Sequence, residues 1–133
     1  MKILITGGTG FIGSHLTQFL KKDNDITIYD VKKPIEKDVK FILGDILDEQ
    51  KILQSFQDFD AIIHLAATVG VKNTETNPVL TLNTNILGTK NILEACKKHN
   101  IKKVILASSS EIYGEPRKVP IDEIQTPIPI TTY

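Results

Sequence analysis

Residues 7 to 13 read Gly-Gly-Thr-Gly-Phe-Ile-Gly, with glycines at 7, 10 and 13 directly after the apolar, β-branched run Ile3 to Thr6. A helical pattern begins at once behind them. Strand, glycine turn and helix in that order can seat the pyrophosphate of a dinucleotide. Gly7 permits the sharp turn off the strand. Gly10 lets backbone approach a phosphate with no Cβ in the way. Gly13 lets the helix lie close to the sheet. The helix start, with Phe11 and Ile12, offers unpaired N–H groups and partial positive charge to an anion. A glycine-rich turn without a ligand is the competing reading, and residues further along weigh against it.

Asp30 closes the next strand-like run, where an acid can accept hydrogen bonds from the adenosine ribose hydroxyls. It would repel a 2′-phosphate and so favours NAD over NADP, although Lys32 and Lys33 follow closely. Otherwise Asp30 caps a turn. Gly44-Asp45-Ile46 ends the third run. Asp45 can accept from an adenine amino group while Ile46 packs on the ring, or Asp45 simply starts a helix. His64-Leu65-Ala66-Ala67 ends the fourth run, and the small residues Ala66 and Ala67 beside Leu65 let the chain pass under a cofactor. His64 itself reads as a packed strand residue.

These residues need an alternating scaffold. Strands are expected at 2–6, 26–30, 39–43, 61–65 and 104–107. Helices are expected at 11–21, with Phe11, Ile12, Leu16, Phe19 and Leu20 at helical spacing, at 48–56 with Asp48 as cap, and from Pro78 to about Asn100. Residues 68–77 read as a polar loop. Four of the six prolines fall within 114–131, which makes that stretch an extended loop. The pattern predicts an α/β, Rossmann-type doubly wound parallel sheet of strand order 3-2-1-4-5, with ligands at the carboxyl ends of the strands. Residues 1–133 are expected to form one dinucleotide-binding domain. The long helix carries Val79, Leu80, Leu82, Ile86, Leu87, Ile92, Leu93, Ala95 and Cys96. They exceed one stripe, so an exposed apolar patch is expected beside it.

Composition narrows the class of partner. Sixteen basic and sixteen acidic residues cancel, so no global field draws the chain to nucleic acid or a membrane. No apolar run approaches the ~20 residues of a membrane span. Cys96, the only cysteine, permits no intrachain disulfide and reads as a small buried hydrophobe. A strand starting at residue 2 leaves no room for a signal peptide, and a reducing cytoplasm fits these features. No metal site is read from the sequence.

Taken together, residues 7–13, Asp30, residues 44–46 and residues 64–67 resemble the extended short-chain dehydrogenase/reductases. Asn85-Ile86-Leu87-Gly88-Thr89 is similar to the family's mid-helix N-x-x-G-T. Residues 108–114, Ser-Ser-Ser-Glu-Ile-Tyr-Gly, are similar to its fifth-strand signature, and Tyr133 falls where its catalytic tyrosine is expected. The resemblance spans the whole chain and is strongest to the NAD-dependent sugar-nucleotide epimerases, dehydratases and decarboxylases.

The resemblance implies an enzyme in which Tyr133 removes a proton from a sugar hydroxyl while hydride moves to the nicotinamide. A tyrosine near its ordinary pKa of ~10 is a poor base at neutral pH. The family corrects this with a lysine four residues later, a position beyond residue 133. Ser109 is implied as the partner that bonds the reacting hydroxyl. Glu111 is either the working glutamate of dehydratases and decarboxylases or a solvated acid. Asn85 binds a water or backbone carbonyl near the site, or is a plain polar helix residue. The implied partners are a UDP-, dTDP- or GDP-linked sugar and, in the complete enzyme, a second copy of the chain. This piece is expected to stop short of the substrate domain and to be inactive alone. A non-catalytic NAD-binding or sensing module, and a reductase acting on a non-sugar carbonyl, are the alternatives. Calorimetric titration should give tighter binding of NAD than of NADP. Asp30→Ala should weaken NAD by about 1.5–3 kcal/mol, the worth of a charge-assisted hydrogen bond. Tighter NADP binding would move the specificity to Lys32 and Lys33.

Overall fold

The computed structural model describes residues 1–35 and 37–130, with the side chains of residues 71–73 left aside. Five parallel strands are ordered β3-β2-β1-β4-β5: β1 (Lys2–Thr6), β2 (Asp25–Asp30), β3 (Lys40–Leu43), β4 (Ala61–His64) and β5 (Lys103–Leu106). This is the order expected from the alternation of strand and helix patterns. The central strand β1 pairs with β2 on one side and β4 on the other, with Ile5 level with Ile28 and Ile63. A strand covered on both faces carries apolar residues at successive positions, and Ile3, Leu4 and Ile5 are all buried.

Two cores result from the side-chain alternation. Ile3, Ile5, Ile26, Ala61 and Ile63 form one, against Leu16 and Leu20 of α1 (Phe11–Leu20). Leu4, Tyr29 and Ile62 form the other, with Ile52 of α2 (Glu49–Ser55), Phe56, and Ile92, Ala95 and Cys96 further along the chain. Tyr29 meets Phe56 edge to face, their centroids 5.7 Å apart. Cys96 is buried as expected, and burial pushes its thiol pKa up. Asp48 caps α2 by accepting from Lys51 N–H.

Two helical expectations need correction. The stretch 68–77 is not wholly a loop, because α3 (Val71–Thr76) forms within it. Its residues, VKNTET, are mostly weak helix formers and carry no helical apolar period. The helix from Pro78 is not regular: α4 (Pro78–Leu82) passes through a π turn (Asn83–Gly88) into α5 (Thr89–Lys98). The helix expected at 11–21 forms as α1, with Phe11, Ile12 and Phe19 facing solvent. Gly13, Thr17, Leu16 and Leu20 supply its inner face.

The surplus apolar residues of the third expected helix do reach the surface. Val79, Leu80, Leu82, Ile86, Leu87 and Leu93 are exposed while Ile92, Ala95 and Cys96 are buried. Ile105 of β5 is also exposed. Beyond β5 a 3₁₀ turn (Ser110–Tyr113) ends at Gly114, whose φ of +60° suits glycine. A Cβ there would strike the carbonyl of Ile128, so the proline-rich stretch returns to its own starting point. Gln125 staples that loop, accepting from Arg117 N–H at 3.2 Å and donating to Lys118 C=O at 3.1 Å.

Candidate functional site

The carboxyl ends of all five strands share one edge, and each carries a segment singled out in the sequence. At the end of β1, Gly7 adopts φ +70°, a conformation that favours glycine. A Cβ on Gly7 would also lie 2.6 Å from the backbone nitrogen of Ala66. Gly13 cannot carry a side chain either, because its Cβ would overlap Gly7 O and Gly8 Cα. These two glycines serve the turn and the close seat of α1. Gly10 differs. Its φ of −71° and ψ of 176° suit any residue, its Cβ would meet only Gly7 O at 3.2 Å, and it is exposed. A side chain at Gly10 would therefore point outward, over the start of α1.

Gly10 is the N-cap of α1 and brings no side-chain cap. The first helical hydrogen bond runs from Ser14 N–H to Gly10 O, 2.9 Å. The amides of Phe11, Ile12 and Gly13 thus have no acceptor within the helix, which leaves an anion-receptive end. Phe11 is 84% exposed and rests against His15, with centroids 5.0 Å apart.

Asp30 stands beside this end. Its Oδ2 accepts from Thr9 N–H at 3.1 Å and from Thr9 Oγ1–H at 2.8 Å, and its Oδ1 accepts from Lys32 N–H at 3.1 Å. A carboxylate has about four acceptor positions, so Asp30 is held in place and retains capacity for a ligand hydroxyl. Thr9, the non-glycine residue inside the turn, is a site residue that glycine spacing does not reveal.

At the end of β3, Asp45 is exposed and its Oδ1 accepts from Leu47 N–H at 2.9 Å. Ile46 is 5% exposed and belongs to the core, so it presents only a sliver of surface to a ring. The segment is held from below by two residues that the sequence reading passed over. Tyr29 donates its hydroxyl to Asp45 C=O at 2.9 Å, and Asn91 donates Nδ2–H to Ile46 C=O at 3.0 Å. Burial, with the Asp48 and Asp45 carboxylates adding to it, pushes the Tyr29 pKa up to about 12. The phenol therefore keeps the proton it donates.

At the end of β4, Leu65 and Ala66 are half-buried and Ala67 is exposed. Asn85, from the π turn, grips the next residue at both ends. Its Oδ1 accepts from Thr68 N–H at 2.8 Å and its Nδ2–H donates to Thr68 C=O at 3.1 Å. Asn85 thus binds a backbone carbonyl, as one of its readings had it, and holds the loop in shape. At the end of β5, Ser109 Oγ caps the 3₁₀ turn by accepting from Glu111 N–H at 3.1 Å, which leaves its own proton free to donate. The Glu111 side chain is exposed. Tyr133 lies outside the described residues. Among the described residues no group of three or more His, Cys, Asp or Glu could hold a metal ion, and no helix is long and apolar enough to cross a membrane.

A doubly wound parallel sheet with a glycine turn, an open helix end and an acid at the end of β2 defines the dinucleotide-binding class of α/β proteins. Comparison with known proteins is more specific. The model of the NAD-dependent epimerase/dehydratase family matches residues 3–133, and this chain belongs to that family. It is 35% identical to the UDP-glucose 4-epimerase of Halalkalibacterium halodurans over 100% of this chain and 42% of that one. It is 40% identical to the UDP-N-acetyl-alpha-D-glucosaminuronate decarboxylase of Bacillus cytotoxicus over 86% of this chain and 38% of that one. The crystal structure of UDP-glucose 4-epimerase from Brucella ovis in complex with NAD superposes with a TM-score of 0.91 at 32% identity. That match covers 99% of this chain and 43% of the other. The chain spans less than half the length of these relatives.

His64 is buried in the middle of this edge, and burial pushes its pKa from 6.5 down to about 4. As pH falls, the unfolded chain takes up the proton first. Stability is therefore fully present above about pH 6.5 and is lost progressively toward pH 4. The loss attributable to His64 is at most about 3 kcal/mol. Urea unfolding at several pH values should give a steeper fall across this window for the unsubstituted chain than for His64→Asn. Parallel curves would mean that His64 titrates normally.

Proposed function

We propose that this chain holds NAD along the carboxyl edge of its sheet, as the cofactor-binding part of an enzyme that epimerises or otherwise modifies the sugar of a UDP-sugar. The observation that carries this reading is the uncapped start of α1 beside an acid fixed in place by Thr9. The NAD present in the Brucella ovis relative and the UDP-sugar names of the other two support it.

Bound NAD supplies a hydride acceptor for a sugar carbon. The remaining work falls to the protein. The amides at Phe11, Ile12 and Gly13 receive the pyrophosphate, with Gly7 shaping the turn and Gly10 leaving the approach clear. Asp30 accepts from the adenosine ribose hydroxyls. Asp45, with Ile46, borders the adenine. Leu65, Ala66 and Ala67 form the floor under the cofactor, and Asn85 fixes the loop that follows them. Ser109 donates its free proton toward the reacting sugar hydroxyl, and Tyr133 takes the proton that this hydroxyl loses. Glu111 stands at the same strand end as a second proton carrier, of use where the reaction goes on to eliminate or decarboxylate.

The partner of the exposed helix face is a second copy of the chain. Val79, Leu80, Ile86, Leu87 and Leu93 leave an apolar surface there with a shallow groove of about 450 Å³ beside Ile86 and Leu93. Surface of this kind marks an interaction site.

Gly10→Val tests the cofactor site, because the backbone at Gly10 accepts a β-branched residue. NAD binding by calorimetry should vanish while the far-UV helical signal stays. Unchanged affinity would reduce the glycines to a structural turn. Light scattering across a concentration series tests the pairing. Self-association that Leu80→Lys and Leu87→Lys abolish is expected, and a monomer at every concentration would refute it.

A further inference from the structure

The polar atoms beneath the glycine turn form a directed chain. Thr89 Oγ1–H donates to Asn85 C=O at 2.6 Å. A hydroxyl has one proton, so the contact of 3.1 Å between His64 Nε2 and Thr89 Oγ1 requires the imidazole to donate. Nε2 then carries the hydrogen and Nδ1 is an acceptor. It accepts from Thr6 Oγ1–H at 2.6 Å. Thr6 Oγ1 in turn accepts from Ala66 N–H at 3.3 Å. Asn85 completes a circuit through its grip on Thr68. The end of β1, the end of β4, the loop behind β4 and the π turn are thereby joined through one ring, and every proton in the chain has one direction. Reversing the ring would leave two acceptors, Nε2 and Thr89 Oγ1, facing each other and two donors, Nδ1–H and Thr6 Oγ1–H, in opposition, both costly away from water.

The circuit touches the turn itself. The backbone of Ala66 lies so close to Gly7 that a Cβ on Gly7 would overlap it. Any displacement of Ala66 is therefore felt at the start of the glycine turn.

We propose that His64 is a positioning residue for the dinucleotide site: its two nitrogens clamp β1 to the start of α5 through Thr6 and Thr89, and Leu65, Ala66 and Ala67 keep their binding shape only while the clamp is closed. The proposal rests on the NAD site described above. It assigns His64 no contact with the reacting atoms.

The test uses Thr89→Val, which keeps the shape and removes the hydroxyl, and Thr89→Ser, which restores it. Long-range ¹H–¹⁵N spectra read the His64 tautomer, and calorimetry reads NAD affinity. In the unsubstituted protein at neutral pH the ring should be wholly in the Nε2–H form. Thr89→Val should disturb that tautomer and weaken NAD about tenfold, the scale of one lost hydrogen bond with its partner left buried. Thr89→Ser should recover both. Ile92→Ala, a cavity in the same helix, should lower the melting temperature without moving tautomer or affinity. If Thr89→Val does not fold, Thr89→Ala takes its place. Unaltered NAD affinity in a variant whose tautomer has changed overturns the clamp alone, and so does an Nδ1–H or mixed ring in the unsubstituted protein. Failure of the unsubstituted protein to bind NAD overturns the cofactor reading and the clamp with it.

Discussion

Everything at this edge depends on β1 being paired on both sides. Its backbone bonds β2 along one flank and β4 along the other, and Leu4, Ile5 and Thr6 are sealed from water. A buried strand with both ladders filled has no freedom to slip, because a shift of one residue would turn its apolar set to the wrong face and orphan buried amides. The point at which Gly7 leaves the sheet is thus set by the pairing and not by the glycine. The same ladders set how far β2 and β4 reach. Asp30 and His64 consequently arrive level with the turn, one on each side of it.

A second layer of organisation consists of side chains that hold loop backbone. Thr9 pins Asp30, Tyr29 and Asn91 pin residues 45 and 46, and Asn85 pins Thr68. Each bond is worth only about 1 kcal/mol net. Their joint effect is that four loops from four strands are fixed before any ligand arrives, which lowers the ordering cost of binding.

These two layers differ in how far they can be read from sequence. The glycines, Asp30 and the alternation of strand and helix are local signals, and the strand order followed from them. Ser109 and Glu111 were singled out only through the resemblance. Apart from Asn85, which the resemblance had singled out, the pinning residues were missed because their partners are remote. Thr6 and His64 are 58 residues apart, and Asn91 and Ile46 are 45 apart. Nothing in a local window distinguishes a threonine that bonds a distant ring from one that merely favours a strand. The π turn escaped for another reason. Its residues continue an apolar run that already exceeded one stripe, so the extra residue per turn left no trace in the period. The exposure of Phe11, Ile12 and Phe19 was not legible either, because helical spacing tells which residues share a face, not which face the sheet takes.

The return of the chain at Gly114 has consequences for how this surface can change over generations. Ile128 closes on Gly114, and Gln125 ties the segment internally, so the stretch between them is a self-contained excursion with both ends anchored. For such a closed segment, length is cheap: a doubling costs roughly 0.6 kcal/mol in closure entropy. Residues at its far end, such as Val119 and Ile124, are exposed and bury little. This excursion can therefore lengthen, shorten or change composition while the strand end beneath it stays put, a place where new selectivity can arise without endangering the fold.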